Sequence, residues 1–182
     1  PANQLVEGSI PEDASYERLA QDSLAADENL LREAFGLLVN AHYRTQPDDL
    51  ARLLDAPDVA IRALLVDGHP VSVALLAQEG GLDDDTRRRA YEGGRIRGNL
   101  IPDLLTSQLR DPEAGIPIGF RVVRIATHHA VRAAGFGSRL LDEIEAEFYE
   151  IGSTDADPYD ARDRFGPIDY LGVSYGATPK LC

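Results

Sequence analysis

The chain has 182 residues, 43% hydrophobic and 27% charged, which is the composition of one soluble globular domain with room for a sizeable core. No apolar run approaches the ~18 residues of a membrane-spanning helix, and no basic segment followed by an apolar stretch opens the chain, so no membrane span and no signal peptide are expected and the default compartment is the cytoplasm. The single cysteine, Cys182, is the last residue, which excludes an intrachain disulfide and a Cys-based zinc site; no metal site is expected. Against 18 bases stand 31 acids, a net charge of −13; the acids are 19 Asp and 12 Glu, and all bases but Lys180 are arginine. Such a surface suits concentrated salt, where the Debye length shrinks to ~3 Å at 1 M and self-repulsion costs little, so a halophilic source is expected. Phosphate contacts need only a local arginine cluster, so net charge alone leaves RNA binding undecided.

Residues 1–27 read as a polar lead-in with a weak helical pattern from Ala14 to Leu24, and residues 28–182 as the folded domain. From Glu28 the apolar positions Leu30, Leu31, Ala34, Phe35, Leu37 and Leu38 recur at 3.6 spacing and predict an amphipathic helix to about Tyr43. Pro47-Asp48-Asp49 opens a second helix that Pro57 stops. Two strands are expected next, Ala60 to Val66 and Val71 to Gln78, joined by Asp67-Gly68-His69-Pro70, whose Asp-Gly step signals a hairpin. Asp83-Asp84-Asp85 and Arg87-Arg88-Arg89 read as the dipole-matched ends of a solvated helix rather than a metal or RNA site. A short helix from Gly98-Asn99 through Leu109, a Pro- and Gly-containing loop, and a β-branched strand from Phe120 to Thr127 come next. Ser138 to Glu150 is again amphipathic helix, Gly152 to Pro167 a polar loop, Ile168 to Tyr175 a strand, and Gly176 to Pro179 the start of a helix cut off at Cys182. An ending there implies a natural protein that continues.

Between the Phe120 strand and the Ser138 helix lies Arg132-Ala133-Ala134-Gly135-Phe136-Gly137, an R-x-x-G-x-G element. A glycine turn feeding a helix start presents free N–H groups and the positive end of the helix dipole, a cradle for a pyrophosphate. The G-x-G-x-x-G spacing of a dinucleotide fold is not met, and no G-K-[ST] follows for a P-loop.

Strand, R-x-x-G-x-G and amphipathic helix together resemble the acetyl-CoA motif of the GNAT acetyltransferases. Four further stretches narrow the resemblance: His42-Tyr43-Arg44-Thr45-Gln46-Pro47-Asp48-Asp49-Leu50, Gly98-Asn99-Leu100-Ile101-Pro102, Arg121-Val122-Val123-Arg124-Ile125-Ala126 with Gly135-Phe136-Gly137-Ser138-Arg139-Leu140, and Asp169-Tyr170-Leu171-Gly172-Val173-Ser174-Tyr175-Gly176-Ala177-Thr178-Pro179. These look like the acetyltransferase domain of the RNA cytidine acetyltransferases, the tRNA(Met) cytidine acetyltransferase family. The resemblance implies an α/β GNAT fold, a mixed and mostly antiparallel sheet flanked by helices and incomplete at its C-terminus, with the Val122 and Ile168 strands side by side and splayed at their C-terminal ends. It implies acetyl transfer from acetyl-CoA to the N4 amine of cytidine in RNA, a tRNA by the family's name, with ATP used by an ATPase region of the full-length protein that is absent here. Ile125, Ala126 and Thr127 would line the thioester and pantetheine arm, and Arg132, Ala133, Ala134, Gly135, Phe136, Gly137 and Ser138 would hold the pyrophosphate. Thr127 and His129 stand where the family usually has Val and Pro, and Ala133 and Ala134 replace polar residues.

A neutral N4 amine needs orientation, an oxyanion donor and a late proton acceptor more than a strong base. Glu79 and His128 are the candidate acceptors, and Asn99 a candidate contact to the base. Two other readings stay open: a GNAT enzyme for a protein or small-molecule amine, and an acyl-CoA-binding module without turnover.

Overall fold

The computed structural model of the chain describes residues 8–20, 24, 26–40, 56–151 and 168–174. A hairpin begins the sheet. Strands β2 (Val59–Val66) and β3 (His69–Glu79) are joined by Asp67 and Gly68 alone, with φ of 50° and 79°, the positive pair that a two-residue type I′ loop requires. His69 and Pro70, expected in the loop, are therefore already strand. Pro70 is accommodated because the register shifts beside it, pairing Leu65 with Pro70 but Leu64 with Ser72.

Strand β1 (Ser15–Arg18) runs antiparallel to β2, β4 (Gly119–Thr127) antiparallel to β3, and β5 (Tyr170–Val173) parallel to β4, in the order β1-β2-β3-β4-β5. The expected mixed, mostly antiparallel sheet forms, with the Val122 strand beside the one that follows Ile168. The helical pattern expected over Ala14 to Leu24 is overturned at Ser15–Arg18, which is strand and part of the sheet rather than a lead-in to it. Its residues alternate, with Tyr16 and Arg18 turned inward; both reach Glu147 across the sheet, and that tertiary contact outweighs a weak local preference.

Each face of the sheet carries a helix. Helix α1 (Glu28–Asn40) buries Ala34 and Leu38 against Ile61, Ala63, Val73 and Leu75. On the other face, α4 (Phe136–Ile151) places Phe136, Leu140, Ile144 and Phe148 at four-residue intervals, all at most 3% exposed, against Leu64, Leu76, Phe120 and Val122. The Phe120 and Phe148 rings stack at 4.6 Å. Glu147 interrupts the apolar stripe and is matched by Arg62 of β2, which donates from Nε and Nη2 to its two oxygens at 2.7 Å; Arg18 adds a contact at 3.0 Å and the Tyr16 hydroxyl another. Burial opposes ionisation of Glu147, but the Arg62 hydrogen bonds and charge outweigh it and hold its pKa below the ordinary glutamate value.

Two shorter helices, α2 (Asp84–Tyr91) and α3 (Leu100–Leu109), link β3 to β4. Asp83 caps α2 by accepting from the Thr86 N–H at 2.7 Å, and Asp84 and Asp85 pair with Arg87 and Arg88, so the acid and base blocks act as a charged helix does. The expected helix from Pro47, the end of the first helix at Tyr43, the loop Gly152 to Pro167, the strand end at Tyr175 and the helix from Gly176 lie outside the described residues.

Candidate active site

Strand β4 organises the site through its pairing. Leu76 faces Val122 but Leu75 faces Arg124, which leaves Val123 as an extra, bulged residue. A bulge bends the strand and takes a backbone group out of the ladder. On the opposite side β5 pairs with Gly119 to Val122 only. Past that point, among the described residues, no strand pairs with this side of Val123–Thr127, the stretch that carries Ile125, Ala126 and Thr127; the splay expected between the two strands would lie beyond Ser174, outside the described residues. Where the two strands begin to pair, Gly119 leaves room for Tyr170, whose ring atoms would stand 2.5 Å from a Cβ at that position.

Beyond Thr127 the chain passes through a short 3-10 turn, His129–Val131, into the glycine loop. The His128 N–H donates to Val71 O at 2.8 Å, and its Nδ1 accepts from the Ala130 N–H at 3.2 Å. Burial first, and then His129, stacked on it at 4.4 Å, lower its pKa against an opposing pull from Glu33. The ring is neutral at pH 7 with its accepting nitrogen already used, so this geometry makes His128 a cap of the turn.

Arg132, Ala133, Ala134 and Gly135 are exposed, and two of them are left-handed: Ala133 at φ 62° and Gly135 at φ 92°. For alanine that conformation costs roughly 1–2 kcal/mol, and such strain concentrates at binding sites. Helical bonding starts with the Arg139 N–H on Gly135 O at 3.0 Å, so α4 begins at Phe136, two residues before the expected Ser138. The N–H groups of Gly135 to Ser138 then have no acceptor within the helix. With the positive helix end behind them, such N–H groups can hold an anion. Pro11 lies 3.5 Å from where a Gly135 Cβ would be, so the N-terminal segment flanks the loop.

The other two candidates gather at the far end of β4. Glu79, 2% exposed, accepts from Arg121 Nε at 2.5 Å and from the Ile101 N–H at 2.9 Å, which fastens the first turn of α3 to the end of β3. Asn99 accepts from the Gly80 N–H at 2.8 Å and donates to Arg97 O at 3.3 Å. Both side chains are committed to holding the backbone. Glu79 pairs in register with Gly119 while His128 follows Thr127, so at about 3.3 Å per strand residue these groups stand about 26 Å apart and do not share one site.

Three features escaped the sequence reading: the Val123 bulge, the Arg121–Glu79 pair, and the Tyr170 hydroxyl. Among the described residues that hydroxyl is buried without a hydrogen-bond partner; its pKa is pushed up to about 12 by burial and the nearby Glu79, with Arg121 opposing. An arginine between Phe120 and Val122 in a central strand was the one available signal, since an ionisable residue there needs a counter-charge.

Residues 33–164 match the family model described as GNAT acetyltransferase 2. The chain is 62% identical over 181 residues to tRNA(Met) cytidine acetyltransferase TmcA of Haloferax volcanii and 56% identical over 181 residues to that of Haloarcula marismortui. Both alignments cover 100% of this chain, which spans only 22% and 21% of those relatives. Among solved structures, a ribosomal-protein-alanine N-acetyltransferase from Brucella melitensis biovar Abortus aligns over 92% of this chain and 83% of its own, with a TM-score of 0.48 and 14% identity.

Proposed function

We infer that this chain, which belongs to the GNAT acetyltransferases, binds acetyl-CoA along β4 and serves a longer protein that acetylates the N4 amine of cytidine in tRNA. The acceptor is proposed from the name of the haloarchaeal relatives, and a cytoplasmic location goes with it. No G-K-[ST] loop is present in these residues, so the ATP dependence that the resemblance implies belongs to other parts of that longer protein.

The observation that carries the cofactor reading is the left-handed pair Ala133 and Gly135 leading into the start of α4, after the part of β4 that β5 leaves unpaired. Residues Arg132 to Ser138 fit a pyrophosphate: the N–H groups that open α4 have no acceptor within the helix, and the backbone is held in a strained shape that an anion rewards. Acetyl-CoA supplies an activated thioester. Ile125, Ala126 and Thr127 flank its pantetheine arm through their backbone, and a backbone N–H of this stretch meets the developing oxyanion. Glu79 and Asn99 act as positioning residues at the acceptor end, fixing Arg121 and the turn before α3; His128 fixes the turn before the glycine loop. The amine proton is lost late, and water suffices to take it.

Gly135→Asp is the test, because it adds a Cβ at φ 92° and a negative charge in the cradle. Calorimetry is expected to show acetyl-CoA affinity at least tenfold weaker in the variant; equal affinity in the two would refute the cofactor site. Mass spectrometry of N4-acetylcytidine in tRNA from cells lacking the full-length gene checks the acceptor, and an unchanged level removes it.

A further inference from the structure

Among the described residues of this acidic chain, most arginines are neutralised. Arg18 and Arg62 meet Glu147, Arg32 meets Glu28, Arg87 and Arg88 meet Asp84 and Asp85, Arg121 meets Glu79, and Arg139 meets Glu143. Arg95 and Arg97 are exposed with no ion-pair partner among the described residues, as are Arg89, Arg110 and Arg132, but these two stand two residues apart on one loop. They line one cavity of about 200 Å³ together with Arg121, Asp103 and Leu100, the first residue of α3.

The loop that carries them is held from both ends. Asp103 accepts from the Ile96 N–H at 3.3 Å, and Asn99 donates to Arg97 O while accepting from Gly80. Two unpaired guanidinium groups on a fixed backbone, with the Arg121 side chain in the wall, form a receptor for a doubly coordinated oxyanion such as a phosphate.

Position along β4 says which phosphate. Arg121 lies two residues before the Val123 bulge, whereas the glycine loop follows Thr127, at the other end of the strand. Arg121 and Thr127 are six residues apart, about 20 Å at the strand rise of about 3.3 Å per residue, so the cavity and the proposed pyrophosphate site lie toward opposite ends of β4, with the proposed thioester site between them. We propose that Arg95 and Arg97, with the Glu79-paired Arg121 in the wall of the cavity, bind a backbone phosphate of the RNA acceptor, next to the cytidine that receives the acetyl group. The proposal rests on the acceptor reading given above. It also answers how a chain of net charge −13 engages a polyanion: by a small local cluster of arginines rather than a basic face.

The test uses this 182-residue chain and an RNA hairpin with one unpaired cytidine, in potassium chloride from 0.5 to 2 M, with folding followed by circular dichroism. The double variant Arg95→Gln/Arg97→Gln is expected to bind the hairpin at least tenfold more weakly, with a slope of log affinity against log salt shallower by about 1, and to bind acetyl-CoA as before. Arg95→Lys/Arg97→Lys keeps the charge and should retain most of the affinity. Arg88→Gln/Arg89→Gln loses the same charge on exposed α2 and should change nothing, which separates a local site from the overall field. Hairpin affinity and salt slope unchanged in the double glutamine variant overturn the proposal and leave the acceptor reading standing. An equal loss of acetyl-CoA affinity, relieved with dephospho-CoA, also overturns it, since the cavity would then serve the cofactor's ribose phosphate. No hairpin binding by the unsubstituted chain overturns it too, and N4-acetylcytidine in cellular tRNA then decides the acceptor reading separately.

Discussion

Ala133 shows how one residue's backbone reports on function. An L-residue at φ 62° is held there by its neighbours, between the 3-10 turn capped by His128 and the start of α4 at Phe136. Glycine adopts that conformation freely. Ala133→Gly is therefore expected to stabilise the fold by up to about 1 kcal/mol, where the same exchange inside a helix costs about that much. Urea denaturation measures the sign; a loss near 1 kcal/mol would mean that the left-handed geometry is not what this position demands. The cradle itself should survive, because its N–H groups belong to the backbone.

At the scale of elements, the joint between the edge of the sheet and α4 is made by charge as well as by apolar packing. Glu147 meets Arg62 and Arg18 beneath the Phe136–Phe148 stripe, and both Glu147 and Arg62 are at most 6% exposed. Removing one partner leaves an uncompensated buried charge, so Glu147→Ala is expected to lower stability by about 3–5 kcal/mol, while the apolar pair Arg62→Met/Glu147→Leu recovers most of it. Because the folded pKa of Glu147 is depressed, the stability it contributes is fully present above about pH 4.3, the free glutamate value, and is lost as the pH falls through the depressed one. In Glu147→Gln that part of the acid dependence should disappear. Denaturation midpoints at pH 6 and pH 3 check both statements: an equal drop in the variant and the parent would contradict them.

Over the whole molecule the 31 acids repel one another and 18 bases offset only part of that repulsion. Screening by salt relieves it. The thermal midpoint is expected to rise from low salt to molar potassium chloride, in keeping with the haloarchaeal relatives; a midpoint that falls steadily over that range would contradict the reading of the composition. No helix among the described residues is long and apolar enough to cross a membrane.

Where a signal is local, the sequence carried it. Asp67-Gly68 supplied the two positive φ values of the hairpin, and the amphipathic pattern from Ser138 to Glu150 announced α4, whose buried face starts two residues earlier at Phe136. These depend on backbone preference and periodicity, which neighbours along the chain determine. Tertiary structure alone decided the rest, because the partners are far apart in sequence. Ser15–Arg18 became a strand once β2 offered an edge and Glu147, more than a hundred residues away, offered a counter-charge to Arg18. Glu79, a candidate proton acceptor by sequence, is ion-paired to Arg121, 42 residues on. The Val123 bulge exists only as a mismatch between two strands, and Arg95, Arg97 and Arg121 form one cavity only because the turn before α3 folds back over the start of β4. Pairing, burial and counter-charge are properties of the contact, and no single segment carries them.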